Sequence, residues 1–211
     1  MKIYNPILIT GVERSGATLI ARILDICGVE SGNIDKMYEN KEVKSLCKEY
    51  LRNTDKIMPD TDSLNIPVNW AKRLPIETDK QWMVKSSMLS RMWPVWNYAY
   101  PDARWIIVRR RTGDIIQSCV KTGFMDLFKD RGNLDLIGVD TEKEGWLWWV
   151  HEYEKRFVEM IQAGLNCTIV WPDRMAMGNY QQINETLNWL GLEWDSKIVE
   201  TIGPILTKRR K

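Results

Sequence analysis

Four short apolar runs, at residues 6–10, 81–85, 105–108 and 167–171, stand out from a chain that is otherwise mixed in polarity. Each is too short for a helix and has the near-continuous hydrophobic character of a strand covered on both faces. Three of the runs lead into segments of helical periodicity, and the run at 81–85 leads into a polar turn and then a helix-like stretch. Helices are expected at residues 16–27, 41–52, 113–121, 141–162 and 179–190. Buried runs separated by helix-length segments are what parallel strands with crossover helices require. The pattern therefore predicts an α/β fold, a three-layer, doubly wound and mainly parallel sheet. Residues 53–79 break the rhythm: they are polar and interrupted by Pro59, Pro67 and Pro75, which predicts an irregular excursion. No repeat, low-complexity tract or long linker divides the chain, so residues 1–211 are read as one domain.

Composition narrows the function classes. The 30 basic and 28 acidic residues give a net charge of +2 and are spread along the chain, which argues against a nucleic-acid surface. Cys27, Cys47, Cys119 and Cys167 form no C-x-x-C pair and there is one histidine, His151, so zinc-site spacings are absent and a reducing compartment is expected. No apolar run approaches the roughly 20 residues that span a bilayer. A cytoplasmic protein without a membrane span is expected. With 44% hydrophobic residues and eleven tryptophans the chain can build a large core, and most of those tryptophans are assigned to packing. His151, in a long amphipathic helix, is likewise assigned a structural place.

The first candidate for chemistry follows the first apolar run, where Gly11-Val-Glu-Arg-Ser-Gly-Ala-Thr18 opens the first helix. Two glycines let the backbone curl so that N–H groups and the positive helix end converge on an anion. A nucleoside-triphosphatase loop would carry lysine directly after the second glycine. Here that place is Ala17, and the nearby cation is Arg14. The second candidate is the run at 105–108, which ends in Arg109-Arg-Arg111 and continues into a helix bearing Ser118. Strand alternation allows one or two of these arginines to face a common ligand, and an arginine fork with a hydroxyl suits a phosphate.

Together these motifs resemble those of the sulfotransferases that use 3′-phosphoadenosine 5′-phosphosulfate (PAPS). The loop is similar to the family's 5′-phosphosulfate loop. The second motif is similar to its 3′-phosphate motif, in which an arginine precedes a serine by eight residues, as Arg110 precedes Ser118. Thr168-Ile-Val-Trp-Pro-Asp173 and Asn188-Trp-Leu-Gly-Leu192 resemble the family's late strand and terminal helix, while residues 30–80 match poorly. The resemblance implies a P-loop-like architecture, with PAPS as donor and no metal. It implies that Arg14, Ser15, Gly16, Ala17 and Thr18 hold the 5′ end, that Arg110 and Ser118 hold the 3′-phosphate, and that Trp171 stands where an aromatic lies near the adenine. Lys85 resembles the lysine that faces the sulfuryl group.

Ser87 occupies the place where many cytosolic members carry a histidine base. Other branches use a glutamate after the first helix, which makes Glu39 the first candidate base, Glu42 the second and Glu13, inside the loop, the third. The acceptor is expected to be a small molecule or carbohydrate with a hydroxyl or amine, received by a pocket built largely from residues 30–80. Two alternatives remain open at this point: a P-loop small-molecule kinase, and a catalytically inactive nucleotide-binding protein of the same fold. Oligomeric state has no signature in the sequence.

Overall fold

A computed structural model describes residues 5–52, 58–74 and 78–209, with side chains as far as Leu206. Four strands form one sheet: β1 (Ile7–Gly11), β2 (Met83–Lys85), β3 (Arg104–Val108) and β4 (Cys167–Val170). All pair in parallel, in the order β2-β1-β3-β4. The chain leaves β1 for the β2 edge, then crosses back over β1 to add β3 and β4 on the other side. The order thus reverses at β1, and the carboxyl ends of β1 and β3 border the crevice where open α/β sheets receive ligands.

Strand alternation divides the core into two layers. Ile7 and Ile9 of β1 and Ile106 and Val108 of β3 face one side, against α1 (Ala17–Ile26) and the later helices α9 (Pro172–Ala176), α10 (Gln181–Leu190) and α11 (Lys197–Arg209). Leu8, Trp105 and Ile107 face the other. That second layer is covered by α2 (Lys41–Arg52), α3 (Trp70–Arg73), α4 (Met88–Arg91), α5 (Trp93–Ala99), α6 (Thr112–Thr122), α7 (Arg131–Ile137) and α8 (Glu142–Gln162). The expected doubly wound, three-layer architecture is the one observed.

Trp70, Trp96, Trp105 and Trp146 are fully buried in the second layer. Trp70 meets Trp96 edge-to-face at 5.8 Å, and aromatic area of this kind supplies much of the apolar burial. The α8 helix begins at a capping box, Thr141 and Glu144 each satisfying the other's backbone N–H. Residues 53–79 contain a 3-10 turn at Thr61–Ser63 and α3, and Arg156 of α8 pins this excursion by donating to the Pro59 carbonyl at 2.7 Å. Pro75 lies outside the described residues, as do the last two residues of the basic C-terminus. Among the described residues no helix is long and apolar enough to cross a membrane.

Candidate functional site

The loop between β1 and α1 follows from what glycine permits. A Cβ on Gly11 would stand 2.5 Å from the Val108 carbonyl oxygen and 2.7 Å from Ser15 Oγ, so only glycine lets the end of β1 pass this close to β3. Gly16 adopts φ 104°, a left-handed turn that starts α1. Arg14 also has a positive φ, 67°, which costs a side-chain-bearing residue about 1–3 kcal/mol and persists only where the surroundings impose it. Here they do: Arg14 Nε donates to Ser118 Oγ at 2.9 Å, its guanidinium lies 5.9 Å over the Phe124 ring, and its carbonyl accepts from Arg110 Nη1 at 3.3 Å.

Arg110 and Ser118, paired in sequence by their spacing, are thus brought together through Arg14 rather than by bonding each other. Arg110 Nε lies 3.7 Å from Asp173, within ion-pairing range but beyond a hydrogen bond, and remains a buried donor without a hydrogen-bond partner. Ser15 Oγ, buried in the loop, also has none. Arg109 points elsewhere: it pairs with Glu154 of α8 and stacks 5.1 Å over Trp171. Arg111 is exposed. One arginine of the three therefore faces the loop, as strand alternation requires. Trp171 packs under Arg109 at the end of β4, outside the cavity described next.

A cavity of about 700 Å³ opens beside the loop and is lined by Gly11 through Thr18, by Lys85 at the end of β2 and Ser87 just beyond it, and by Met37, Glu39 and side chains of α2. Ala17 contributes to this lining and is buried. Lys85 Nζ lies 3.5 Å from Glu39 and donates to the Met37 carbonyl at 3.2 Å, and Thr18 donates to the same carbonyl. Burial pulls the Lys85 pKa below the usual lysine value, against the opposing pull of Glu39. Glu39 is also held at 2.6 Å by Lys44, which reaches Asp35 at 2.8 Å. Glu42, by contrast, is exposed, accepts from Asn33 at 2.7 Å and does not line the cavity.

Glu13 occupies a different kind of place. It accepts from Ser87 Oγ at 2.7 Å, Trp149 Nε1 at 2.7 Å and Tyr153 Oη at 3.2 Å. Burial, with the Glu13 charge beside it, pushes the Tyr153 hydroxyl far above the usual tyrosine pKa, so the phenol stays a donor. With three donors on two oxygens, Glu13 braces the loop against α8 and the segment after β2. Trp149 is the residue that sequence reasoning passed over: assigned to packing, it both packs and anchors Glu13 at the cavity wall. Tryptophan periodicity on α8 carries no mark that distinguishes its neighbours from it. His151, on the same helix, is exposed.

Two solved structures share this arrangement of strands and helices. Sulfotransferase STF9 of Mycobacterium avium superimposes with a TM-score of 0.54 over the whole of this chain and 70% of its own, at 12% identity. Sulfotransferase STF1 of Mycobacterium tuberculosis H37Rv gives 0.53 over 96% of this chain and 71% of its own, at 13% identity. The fold is a sulfotransferase fold. At this identity the likeness speaks for the fold alone. No family model and no curated protein matches the sequence. Within the sulfotransferase fold, Arg14, Ser15, Gly16, Ala17, Thr18, Lys85 and Glu39 share one cavity, Arg110 and Ser118 meet at Arg14 beside it, and Glu42 and Trp171 stand apart.

Proposed function

We propose that this protein is a sulfotransferase that moves a sulfuryl group from PAPS to a hydroxyl or amine acceptor, leaving adenosine 3′,5′-bisphosphate. The observation that carries this reading is the meeting of a lysine-free phosphate loop, Lys85 and Glu39 in one cavity at the carboxyl edge of the sheet. The residues fit a doubly phosphorylated nucleotide: Ser15 Oγ and Arg110 Nε are buried donors without hydrogen-bond partners, and Gly16 takes the left-handed φ of 104° that turns the loop into α1. On this reading the loop and the first N–H groups of α1 hold the 5′ end, and Arg110 and Ser118 hold the 3′-phosphate.

The donor supplies an activated sulfur. As the acceptor oxygen bonds to it, the bond from sulfur to the bridging oxygen breaks and the electron pair leaves with the bisphosphate. Arg14 and Lys85 offset the charge that develops there, which is electrostatic stabilisation in a partly enclosed site. Glu39 takes the acceptor proton, because it faces the cavity beside Lys85 while the oxygens of Glu13 are filled by three donors. A kinase would need a cation after the second glycine, and Ala17 supplies none. Four free cysteines, two of them buried, fit a reducing, cytoplasmic setting.

Calorimetric titration with adenosine 3′,5′-bisphosphate and, separately, with ATP and magnesium tests the donor assignment. Micromolar or tighter bisphosphate binding is expected, weakened in Arg110→Ala by more than about tenfold, or ~1.4 kcal/mol. Preference for ATP with magnesium, or indifference to the Arg110 substitution, overturns it.

A further inference from the structure

The cavity holds more positive charge than a phosphosulfate at the loop would use. Its carboxylates are Glu13, bound by three neutral donors, and Glu39, already facing Lys44 and Lys85. Lys44 is shared between Glu39 and Asp35. One and two turns farther along the same face of α2, Lys48 and Arg52 also line the cavity, and neither forms an ion pair among the described residues. Four-residue spacing stacks these side chains on one helix face. A rise of 1.5 Å per residue puts Lys48 and Arg52 about 6 and 12 Å beyond Lys44 along the axis. Phe124, Met125 and Leu127, together with Leu51 and Met88, supply the apolar lining of the same space.

We infer that the acceptor is an acid: a hydroxyl compound with an apolar body and a carboxylate, phosphate or sulfate group about 5–12 Å from the reacting oxygen, received by Lys48 and Arg52. This deepens the sulfotransferase reading and rests on it for the identity of the reacting hydroxyl. The preference for an anion follows from the lining of the cavity alone. With Arg14 and Lys85 facing the donor, the cationic pair at the far end of α2 favours an anion over a neutral molecule of equal shape and disfavours a cation. The apolar lining receives the body of the ligand, while Lys48 and Arg52 stand at the exposed edge of the cavity.

The test uses the full chain saturated with adenosine 3′,5′-bisphosphate, so that the loop is filled, and measures binding of a matched set by ligand-observed NMR. The set is 3-(4-hydroxyphenyl)propionate, the phosphate and the sulfate monoesters of 4-hydroxyphenethyl alcohol on its aliphatic oxygen, the propionamide counterpart, and tyramine. At least one acid is expected to bind tenfold or more tighter than the amide and tyramine, and which acid does so separates the three chemistries. In the Lys48→Ala/Arg52→Ala protein the preference should fall below about threefold, with an unchanged thermal melt as the control for folding. Equal binding of acids and amide, no detectable acid binding, or a preference that survives the double substitution overturns the inference. An acid preference lost in the double variant, in a protein that fails to bind the bisphosphate, would sustain the anionic subsite and remove the sulfotransferase reading.

Discussion

The two walls of the cavity are built on different principles. The loop wall is an extension of the sheet: Gly11 touches Val108, Glu13 is bound by Ser87, Trp149 and Tyr153, and Arg14 is held in a strained backbone conformation by Ser118, Phe124 and Arg110. Its contacts join residues far apart in sequence and are partly buried. The opposite wall, from Asp35 to Arg52, is held locally. Asp35 accepts from the backbone N–H groups of Met37 and Glu39 and pairs with Lys44, and Lys44 and Lys85 fix Glu39. The Lys44–Asp35 pair is partly exposed, and such pairs are individually weak, so the Asp35 end of this wall is held less firmly than the loop wall. That difference suits a site in which one side holds a constant nucleotide and the other adapts to an acceptor.

Either wall can be perturbed on its own. The largest effect is expected from Glu39→Gln, which keeps the shape of this wall and removes the proposed proton acceptor: kcat should fall ~10²–10⁴-fold with nucleotide affinity nearly unchanged, as read by sulfuryl transfer from labelled PAPS. Retained kcat would remove Glu39 from the reaction. Next comes Glu13→Gln in the loop wall, where an amide N–H₂ must face a donor that the carboxylate had satisfied. A loss of about 1–3 kcal/mol is expected, which lowers the Tm by several degrees and weakens bisphosphate binding; a melt unchanged within error would show that the carboxylate does not brace the loop.

The smallest effect belongs to Asp35→Asn. Burial works to raise the Asp35 pKa, but the hydrogen bond from Lys44, the Glu39 and Met37 N–H groups and the Lys44 charge outweigh it and hold the carboxyl at about 2, against 3.8 for the free side chain. A carboxyl whose folded pKa is depressed contributes stability that is present above its unfolded value and lost as pH falls toward the folded one. Urea unfolding at pH 7 should therefore show the variant about 1 kcal/mol less stable, a figure reduced for solvent screening at this partly exposed site, with the gap closing between pH 4 and 2. A gap that persists at pH 2 would assign the loss to packing instead of charge.

Much of the scaffold was legible in the chain. The bounds of α2 match the periodic segment at 41–52, and α8 starts one residue after Thr141, its N-cap. All four strands fall on the apolar runs, shifted by a residue or two. Helices α3, α7, α9 and α11 were not anticipated. The α9 helix has five residues, with Pro172 at the first position, where proline is well tolerated, while α11 carries Pro204 in its interior and so runs against local expectation; α11 packs against α1 and α9. In the site, glycine spacing and the arginine-rich strand end marked the loop between β1 and α1 and Arg110. Nothing local marked Trp149, since its role depends on which face of α8 meets Glu13.

The sequence by itself determined the parallel α/β architecture, the glycine-bounded turn between β1 and α1 and the absence of a lysine after its second glycine. Period, glycine and charge are local properties that physical chemistry converts directly into backbone shape. Tertiary structure alone decided that Ser118 reaches Arg14 across 104 positions, that Glu39 rather than Glu42 faces Lys85, and that Glu13 is bound by three donors. Those outcomes depend on strand order and on which helix face is buried, and the free energy that fixes them is shared across the whole core.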